Sequence, residues 1–189
     1  MSRRLLLVLA ALALAGGATL RDAAAERVVT SLSTHRVMIT SNFTGVDLTL
    51  FGAIEPDGAS VGRAGDYALV VTVVGPRRSV RTWEKQRVLG LWVNAESRTF
   101  VEAPSYLAVL TNRPIAAISD PAVLQRRQIG LRQFVLPQQI GPDIADAGAQ
   151  DPFRQAFVRI KTEHGLYREQ TNAVTFITPS LFRASVTLP

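Results

Sequence analysis

Three groups of residues in this sequence have side chains that could take part in a reaction or bind a ligand. The first is Gly58-Ala59-Ser60-Val61-Gly62, which matches the G-x-S-x-G pattern of serine hydrolases. In those enzymes a sharp strand-to-helix turn exposes the serine, and a histidine base and an acid follow later in the chain. Here the pattern lies in a turn-rich stretch before a predicted strand, and the only histidine that follows is His164. We interpret residues 58–62 as a surface loop, with a hydrolase that uses Ser60 as the alternative.

The second group is His35 and Met38, an imidazole and a thioether that would suit copper. Side chains three residues apart on a strand point to opposite faces, and no second histidine or methionine cluster lies nearby in the sequence. An ordinary histidine and a core methionine are therefore favoured, and we predict no metal site and no cofactor. A periplasmic metal carrier is a further alternative. His164 is interpreted as a cation at the carboxyl end of a helix.

The third group is Arg81, Trp83 and Lys85, which alternate along a predicted strand and so share one of its faces. A tryptophan ring between two cations could bind an anionic or carbohydrate ligand, or contact a partner protein. The alternative is an edge strand protected by its charges, with Trp83 packed beneath its neighbours. These three are the predicted partner- or ligand-binding residues. No catalytic residue is predicted.

The elements that must position these residues are mainly strands. Apolar and polar residues alternate along 46–54, which predicts a half-buried strand whose inner face includes Leu48, Leu50 and Ile54. Residues 67–74 are apolar on both faces, so this strand is expected at the centre of a sheet. Further strands are predicted at 37–39, 80–85, 89–93, 100–101, 106–111, 174–177 and 181–188, with a hairpin-like turn at 41–45.

Two helices are expected in the second half of the chain. Asp120 followed by Pro121 is a typical helix start and predicts a helix to about residue 129. Asp151 and Pro152 repeat this pattern, and apolar residues then recur at helical spacing until Gly165. Residues 141–150, rich in glycine, alanine and aspartate, are predicted to form a mobile loop.

This order of elements predicts a mainly β fold, an immunoglobulin-like β-sandwich with two helices in its C-terminal half. Residues 26–189 would form one domain with a helical segment at about 120–165. The chain ends at Pro189 in strand register, so we expect that it is truncated at its C-terminus.

Residues 1–25 have the features of a secretory signal. Arg3 and Arg4 are followed by an apolar run at 5–15, and three alanines at 23–25 supply the small residues that signal peptidase accepts. The apolar run is shorter than the ~20 residues that a membrane span requires. We predict cleavage after Ala25, with an uncleaved anchor as the alternative.

Composition agrees with an exported domain. The sequence contains no cysteine, which excludes disulfides, thiol chemistry and cysteine-based metal sites. The formal charge is +6, and setting aside three arginines and one aspartate in residues 1–25 leaves +4. No basic run concentrates this charge, so nucleic acid is excluded as a partner.

Several segments resemble a family of alphaproteobacterial envelope proteins labelled "putative transmembrane protein". They are 41–54 (SNFTGVDLTLFGAI), 104–106 (PSY), 111–114 (TNRP), 128–131 (QIGL) and 153–189. The resemblance implies a signal peptide, a periplasmic β-rich domain, a further strand and one C-terminal transmembrane helix. It also implies an inner-membrane permease of the sulfite-exporter kind, or another envelope protein, as the partner. Since this sequence stops at Pro189, the membrane helix would lie beyond it.

Taken together, these features predict a non-enzymatic periplasmic protein, tethered to the inner membrane in its full-length form, that binds a partner or small ligand. An accessory role beside a transporter follows from the resemblance alone.

Export of this chain should remove residues 1–25, so that the mature protein begins Glu26-Arg27-Val28. Mass spectrometry of the amino-terminal peptide of the exported protein measures the cleavage site. Ala25→Leu should leave the precursor uncut because signal peptidase requires a small residue there, whereas Ala11→Leu should still be processed. An intact amino terminus in the unaltered protein would contradict cleavage and favour the anchor.

Overall fold

The computed structural model of the protein describes residues 26–34, 45–55, 67–146 and 148–189. Within these ranges eleven strands form three sheets, together with two α-helices and one 3-10 turn at Ile115–Ala117. The mainly β prediction is confirmed. The strands are β1 Arg27–Leu32, β2 Val46–Glu55, β3 Val70–Val74, β4 Arg77–Val88, β5 Leu91–Pro104, β6 Leu107–Thr111, β7 Pro137–Ile140, β8 Asp143–Asp146, β9 Tyr167–Thr171, β10 Val174–Phe176 and β11 Leu181–Leu188; the helices are α1 Pro121–Arg126 and α2 Pro152–Glu163.

Two sheets enclose the first core cluster. One has the antiparallel order β1-β2-β11-β10 and the other the order β3-β6-β9. Apolar side chains of β2 and β11, among them Ile54 and Phe182, pack with Ala108 and Leu110 of β6. The predicted alternation along β2 is confirmed, because Leu48 and Leu50 also contact this cluster.

The centre of the second sheet is β6, and the prediction that residues 67–74 lie there is wrong. Among the described strands β3 pairs only with β6, and Val74 at its end is 43% exposed. By contrast, β6 has a neighbour on each side and all five of its residues are buried. Its two faces serve different clusters, since Leu110 contributes to the first and Leu107 to the second. A run of apolar residues does not by itself show whether a strand lies at the centre or at the edge of a sheet.

The strand β9 was not predicted, and it is the one that pairs with β6 in parallel. Its sequence, Tyr-Arg-Glu-Gln-Thr, has a single apolar residue, Tyr167, and therefore shows no strand alternation. Tyr167 is fully buried, and its hydroxyl donates a hydrogen bond to the carbonyl of Pro104 at 2.9 Å. Tertiary burial of this one side chain thus overrides a polar local sequence.

The third sheet has the order β4-β5-β7-β8 and contains a long hairpin. The strands predicted at 80–85, 89–93 and 100–101 belong to the two arms of this hairpin, β4 and β5. Leu89, expected in a strand, instead forms the turn with Gly90, and both have positive φ (50° and 86°). Two such residues are typical of the type I′ turn that joins twisted strands.

The prediction of a mobile loop at 141–150 is wrong, since this segment contains the strand β8. Gly141 has φ 63° and begins the turn between β7 and β8. Asp146 then fixes the strand, because its carboxylate accepts from the backbone N–H of Leu136 at 3.1 Å and lies 3.5 Å from the guanidinium of Arg154. These contacts come from distant residues, so composition did not reveal them.

Both predicted helices are present. In α2 the Asp151 carboxylate accepts a hydrogen bond from the N–H of Arg154 at 2.7 Å, and Gly165 (φ 68°) ends the helical segment. The first helix, α1, is shorter than predicted and ends at Arg126. Phe157 of α2 belongs to the second core cluster, which joins this helix to β5 and β9.

A substitution at Gly52 tests the packing of the first core cluster. Gly52 pairs with Phe182 across β2 and β11, and a Cβ atom at this position would overlap the buried Phe182 ring. Gly52→Ala should therefore lower the free energy of unfolding by about 1–3 kcal/mol in a denaturant titration. Gly148→Ala is the matched control, because no atom lies within 4 Å of its added Cβ. Equal stability of the two variants would contradict this packing.

Candidate functional site

The predicted residues Arg81 and Trp83 lie together on β4. The guanidinium carbon of Arg81 is 5.9 Å from the centre of the Trp83 ring, and its Nε donates to the Thr99 hydroxyl at 3.4 Å. Trp83 is 51% exposed. It is therefore available to a binding partner rather than packed beneath its neighbours, as the alternative interpretation required.

Lys85 reaches the same region through an irregularity in the hairpin. Trp83 is opposite Ser97, whereas Lys85 is opposite Asn94, so β5 has one more residue than β4 in this interval. Such a bulge increases the local twist and redirects side chains. Trp83 and Lys85 both line one groove.

This groove lies between β4 and α2 and has a volume of about 340 Å³. The helix supplies an apolar wall, and β4 supplies an aromatic and two charged side chains. Its lining comprises Thr82, Trp83, Glu84, Lys85, Pro152, Phe153, Ala156, Phe157, Arg159 and Ile160. Helical spacing predicted α2 but not that its apolar positions line a groove. The sequence did carry a signal for this wall, since the apolar positions of α2 continue to Ile160. That residue is 44% exposed.

The aromatic contacts of Phe157 hold α2 beside β4. Its ring stacks on Phe100 of β5 with centroids 4.2 Å apart, and meets the edge of Tyr167 of β9 at 6.0 Å. All three side chains are buried. One helical residue thus contacts two sheets and places α2 along the groove.

Arg154 holds the first turn of the same helix. Its side chain is almost fully buried, pairs with Asp146, and donates to the carbonyls of Arg132 (3.1 Å) and Phe134. Burial lowers the pKa of Arg154, and the nearby carboxylates of Asp146 and Asp151 oppose this shift. A buried cation is tolerated only when it is paired in this way.

Four residues of β4 form the other wall of the groove. Among the strands that the structure describes, β4 pairs only with β5. An edge strand presents its outer backbone N–H and C=O groups for pairing with another chain. Residues 82–85 of β4 and the apolar side of α2 line the groove together, so it lies beside a strand with one side unpaired among the described strands.

Few ionisable side chains line this groove. Its ionisable groups are Glu84, Lys85 and Arg159, and neither a histidine nor a pair of carboxylates is among its lining residues. Over residues 26–34, 45–55, 67–146 and 148–189, no three histidine, cysteine or acidic side chains are grouped as metal ligands would be. His164 lies at the end of α2, where its Nδ1 is 2.7 Å from the Ile160 carbonyl oxygen. Ser60, His35 and Met38 lie outside the described residues.

A second cavity, of about 490 Å³, opens between the two sheets of the first core. Aliphatic side chains of β2, β3 and β11 line it, with hydroxyls from Thr30, Ser31 and Thr72. None of its lining residues is ionisable, so it provides no acid or base. It contains none of the predicted site residues.

The comparison with protein families identifies the chain. The model of a family described as "Putative transmembrane protein (Alph_Pro_TM)", alphaproteobacterial by name, matches residues 27–189. The chain belongs to this family. The prediction made from the resemblance is therefore confirmed as to family.

The other comparisons add no relatives. No curated protein and no solved structure matches the chain. The family description is consistent with membrane association. In the described part of the chain, none of the helices has the length and apolar character to cross a bilayer.

Tyr167, against which α2 packs, should make stability depend on alkaline pH. Burial raises the pKa of Tyr167 well above its usual value. Because the folded state holds this proton more tightly than the unfolded state, the contribution is fully present below about pH 10 and is lost as the pH rises further. Burial also raises the pKa of Tyr106.

Urea titrations between pH 8 and 11 measure this dependence, in the range that the tyrosine pKa of about 10 sets. The free energy of unfolding should fall above about pH 10, and Tyr167→Phe should reduce that slope without removing the part due to Tyr106. An identical slope in Tyr167→Phe would show that the Tyr167 hydroxyl is not held as described.

Proposed function

We propose that this protein is a non-enzymatic, partner-binding component of the cell envelope. Its groove between β4 and α2 would receive an extended segment of another envelope protein. The observation that carries this proposal is that β4, which pairs only with β5 among the described strands, lines one groove with the apolar side of α2. An extended segment can join an exposed sheet edge as an additional strand, with its side chains in neighbouring pockets.

The lining of the groove defines the kind of segment it would accept. Backbone groups of β4 would pair with the segment's main chain, which gives affinity with little dependence on sequence. Phe153, Ala156 and Ile160 would contact apolar side chains on its inner face. Trp83, large and half-exposed, is the expected anchor, since tryptophan is frequent among residues that dominate binding energy.

Charge favours an acidic segment. Lys85 and Arg159 border the groove, Arg81 lies beside Trp83, and Glu84 is the one carboxylate in the lining. Arg159 has a weak exposed partner in Glu163, at 3.8 Å. Cations at a rim accelerate association with an acidic partner more than they increase affinity. The proposed occupant is therefore an extended acidic segment with apolar side chains at alternate positions.

The signal features of residues 1–25 and the family membership support an assignment to the periplasm, with tethering to the inner membrane. An inner-membrane permease, or another envelope protein with an exposed periplasmic segment, is the proposed partner. The protein would act beside a transporter as an accessory component.

The immunoglobulin-like sandwich also belongs to this proposal. It is supported by facing sheets of four and three strands around one apolar cluster. The parallel pair formed by β6 and β9 departs from the antiparallel pattern of that fold. The sheet that contains β4 and β5 would be an addition to the sandwich.

Photo-crosslinking in the native membrane tests the groove. A photoreactive amino acid at position 85 or 160 of the full-length natural protein should capture the same partner. The same amino acid at position 144, exposed on β8 and outside the groove, should not. Mass spectrometry of the crosslinked peptides should identify one segment with contacts at alternate positions, as in an added strand.

Matched substitutions distinguish a groove from a general surface. Ala156→Trp should fill the groove and reduce the crosslink yield about tenfold or more, a loss of about 1.4 kcal/mol or more of binding free energy. Gln155→Trp, on the same helix but outside the groove, should leave the yield unchanged. Trp83→Ala should weaken binding more than Arg81→Ala. Equal yields from Ala156→Trp and the unaltered protein, or no specific product at positions 85 and 160, would contradict the proposal.

A further inference from the structure

The outer part of the β4–β5 hairpin, residues 86–96, belongs to neither core cluster of the described structure. The third strand of its sheet, β7, pairs with β5 only at Thr99 and Phe100. Every residue from 84 to 96 is exposed. A two-stranded ribbon is only marginally stable alone, so this segment gains little stability from its own contacts.

The end of this ribbon is apolar. Leu89 is 99% exposed, Leu91 72% and Trp92 68%, and Val88 is half-exposed. Both tryptophans of the chain, Trp83 and Trp92, lie on this hairpin. Isolated exposed apolar residues are common, but a contiguous apolar end on an extended ribbon is a feature of interaction sites.

Leu89 is unfavourable in two independent respects. It takes a left-handed conformation (φ 50°) in a type I′ turn, where asparagine or glycine is usual. It also exposes its entire side chain to solvent. Neither property contributes to folding, and backbone conformations of this kind are concentrated at functional sites.

The side chains become more polar from the tip of the ribbon toward its base. At the apex, defined as residues 88–91, Val88 is opposite Leu91. Next along the ribbon Arg87 is opposite Trp92, and further back Lys85 is opposite Asn94. Residues 85–94 contain these two cations and no acidic residue.

This order matches the interface of a bilayer. Apolar side chains enter the acyl region, tryptophan occupies the headgroup level, and lysine or arginine contacts lipid phosphates. Leu89 and Arg87 are two residues apart, or about 7 Å along a strand. Side chains that lie in the interface of a bilayer are buried to a similar depth, about 5–10 Å.

We infer that the apex of the β4–β5 hairpin inserts into the interface of an anionic lipid bilayer. Leu89 and Leu91 enter the acyl boundary, Trp92 lies among the headgroups, and Arg87 and Lys85 contact lipid phosphates. This surface shares only Lys85 with the groove, whose lining on β4 ends at that residue. The hairpin thereby adds a peripheral contact with the membrane to any tether elsewhere in the protein.

Vesicle binding by the exported chain, purified from the cell envelope, tests this inference. Trp83→Phe leaves Trp92 as the only tryptophan, so its fluorescence reports on the apex. Addition of vesicles of phosphatidylcholine and phosphatidylglycerol should shift its emission to shorter wavelength, and brominated lipids should quench it. Vesicles of phosphatidylcholine alone should bind more weakly because they lack net negative charge.

The double variant Leu89→Asn/Leu91→Thr separates binding from folding. Asparagine is preferred in the type I′ turn, so the free energy of unfolding should stay the same or rise. Binding to the anionic vesicles should fall by about tenfold or more, because two apolar side chains no longer enter the bilayer. Ile144→Thr, which removes an apolar side chain that is 62% exposed on β8, should bind as the unaltered protein does.

Three results would overturn the inference. One is the lack of vesicle binding by the unaltered protein at either composition. Another is undiminished binding by the double variant. The third is a double variant that loses self-association in lipid-free sedimentation while it still binds vesicles, which would assign the apex to a contact between copies of this chain.

Discussion

The position of Phe157 determines most of what this protein presents to its surroundings. Its ring packs between Phe100 of β5 and Tyr167 of β9, so a single helical residue joins the hairpin sheet to the sheet built around β6. This contact places α2 along β4 and thereby creates the groove. The buried Arg154 maintains the same arrangement one turn earlier, through the carbonyls of Arg132 and Phe134. Without these two contacts the groove would lose the apolar wall that α2 supplies.

The hairpin has different physical properties at its two ends. Near its base, Phe100 and Ala103 are buried in the second core cluster, and this end is as well packed as the rest of the domain. Beyond Ser97 every residue of the two strands is exposed, and neither core cluster includes any of them. An unpaired edge and an apolar end are both hazards for aggregation in a protein that acts alone. Their occurrence on one hairpin favours a protein whose natural state is bound, both to another polypeptide and to a membrane.

The parts of the fold with strong local patterns were predictable from the sequence. The alternation along β2 and β11 and the Asp-Pro start of α2 each identify an element without knowledge of the rest. Other elements depend on distant residues: β9 forms because Tyr167 is buried against α2, and β8 because Asp146 pairs with Arg154. Arg81, Trp83 and Lys85 could be selected as a candidate site because aromatic and cationic residues alternate there. The helical wall of the groove could not be predicted in this way. The same helical spacing includes Phe157, which is buried, and Ile160, which is half-exposed.

The central claim is that the edge of β4 receives an extended segment of a partner. Amide hydrogen exchange, compared between the protein in its native membranes and the purified protein, measures this most directly. Exchange should be slower at residues 82–85 in the membrane and unchanged at 143–146 in β8, the other outer strand of the same sheet among those described. Equal exchange at residues 82–85 in the two samples would contradict it.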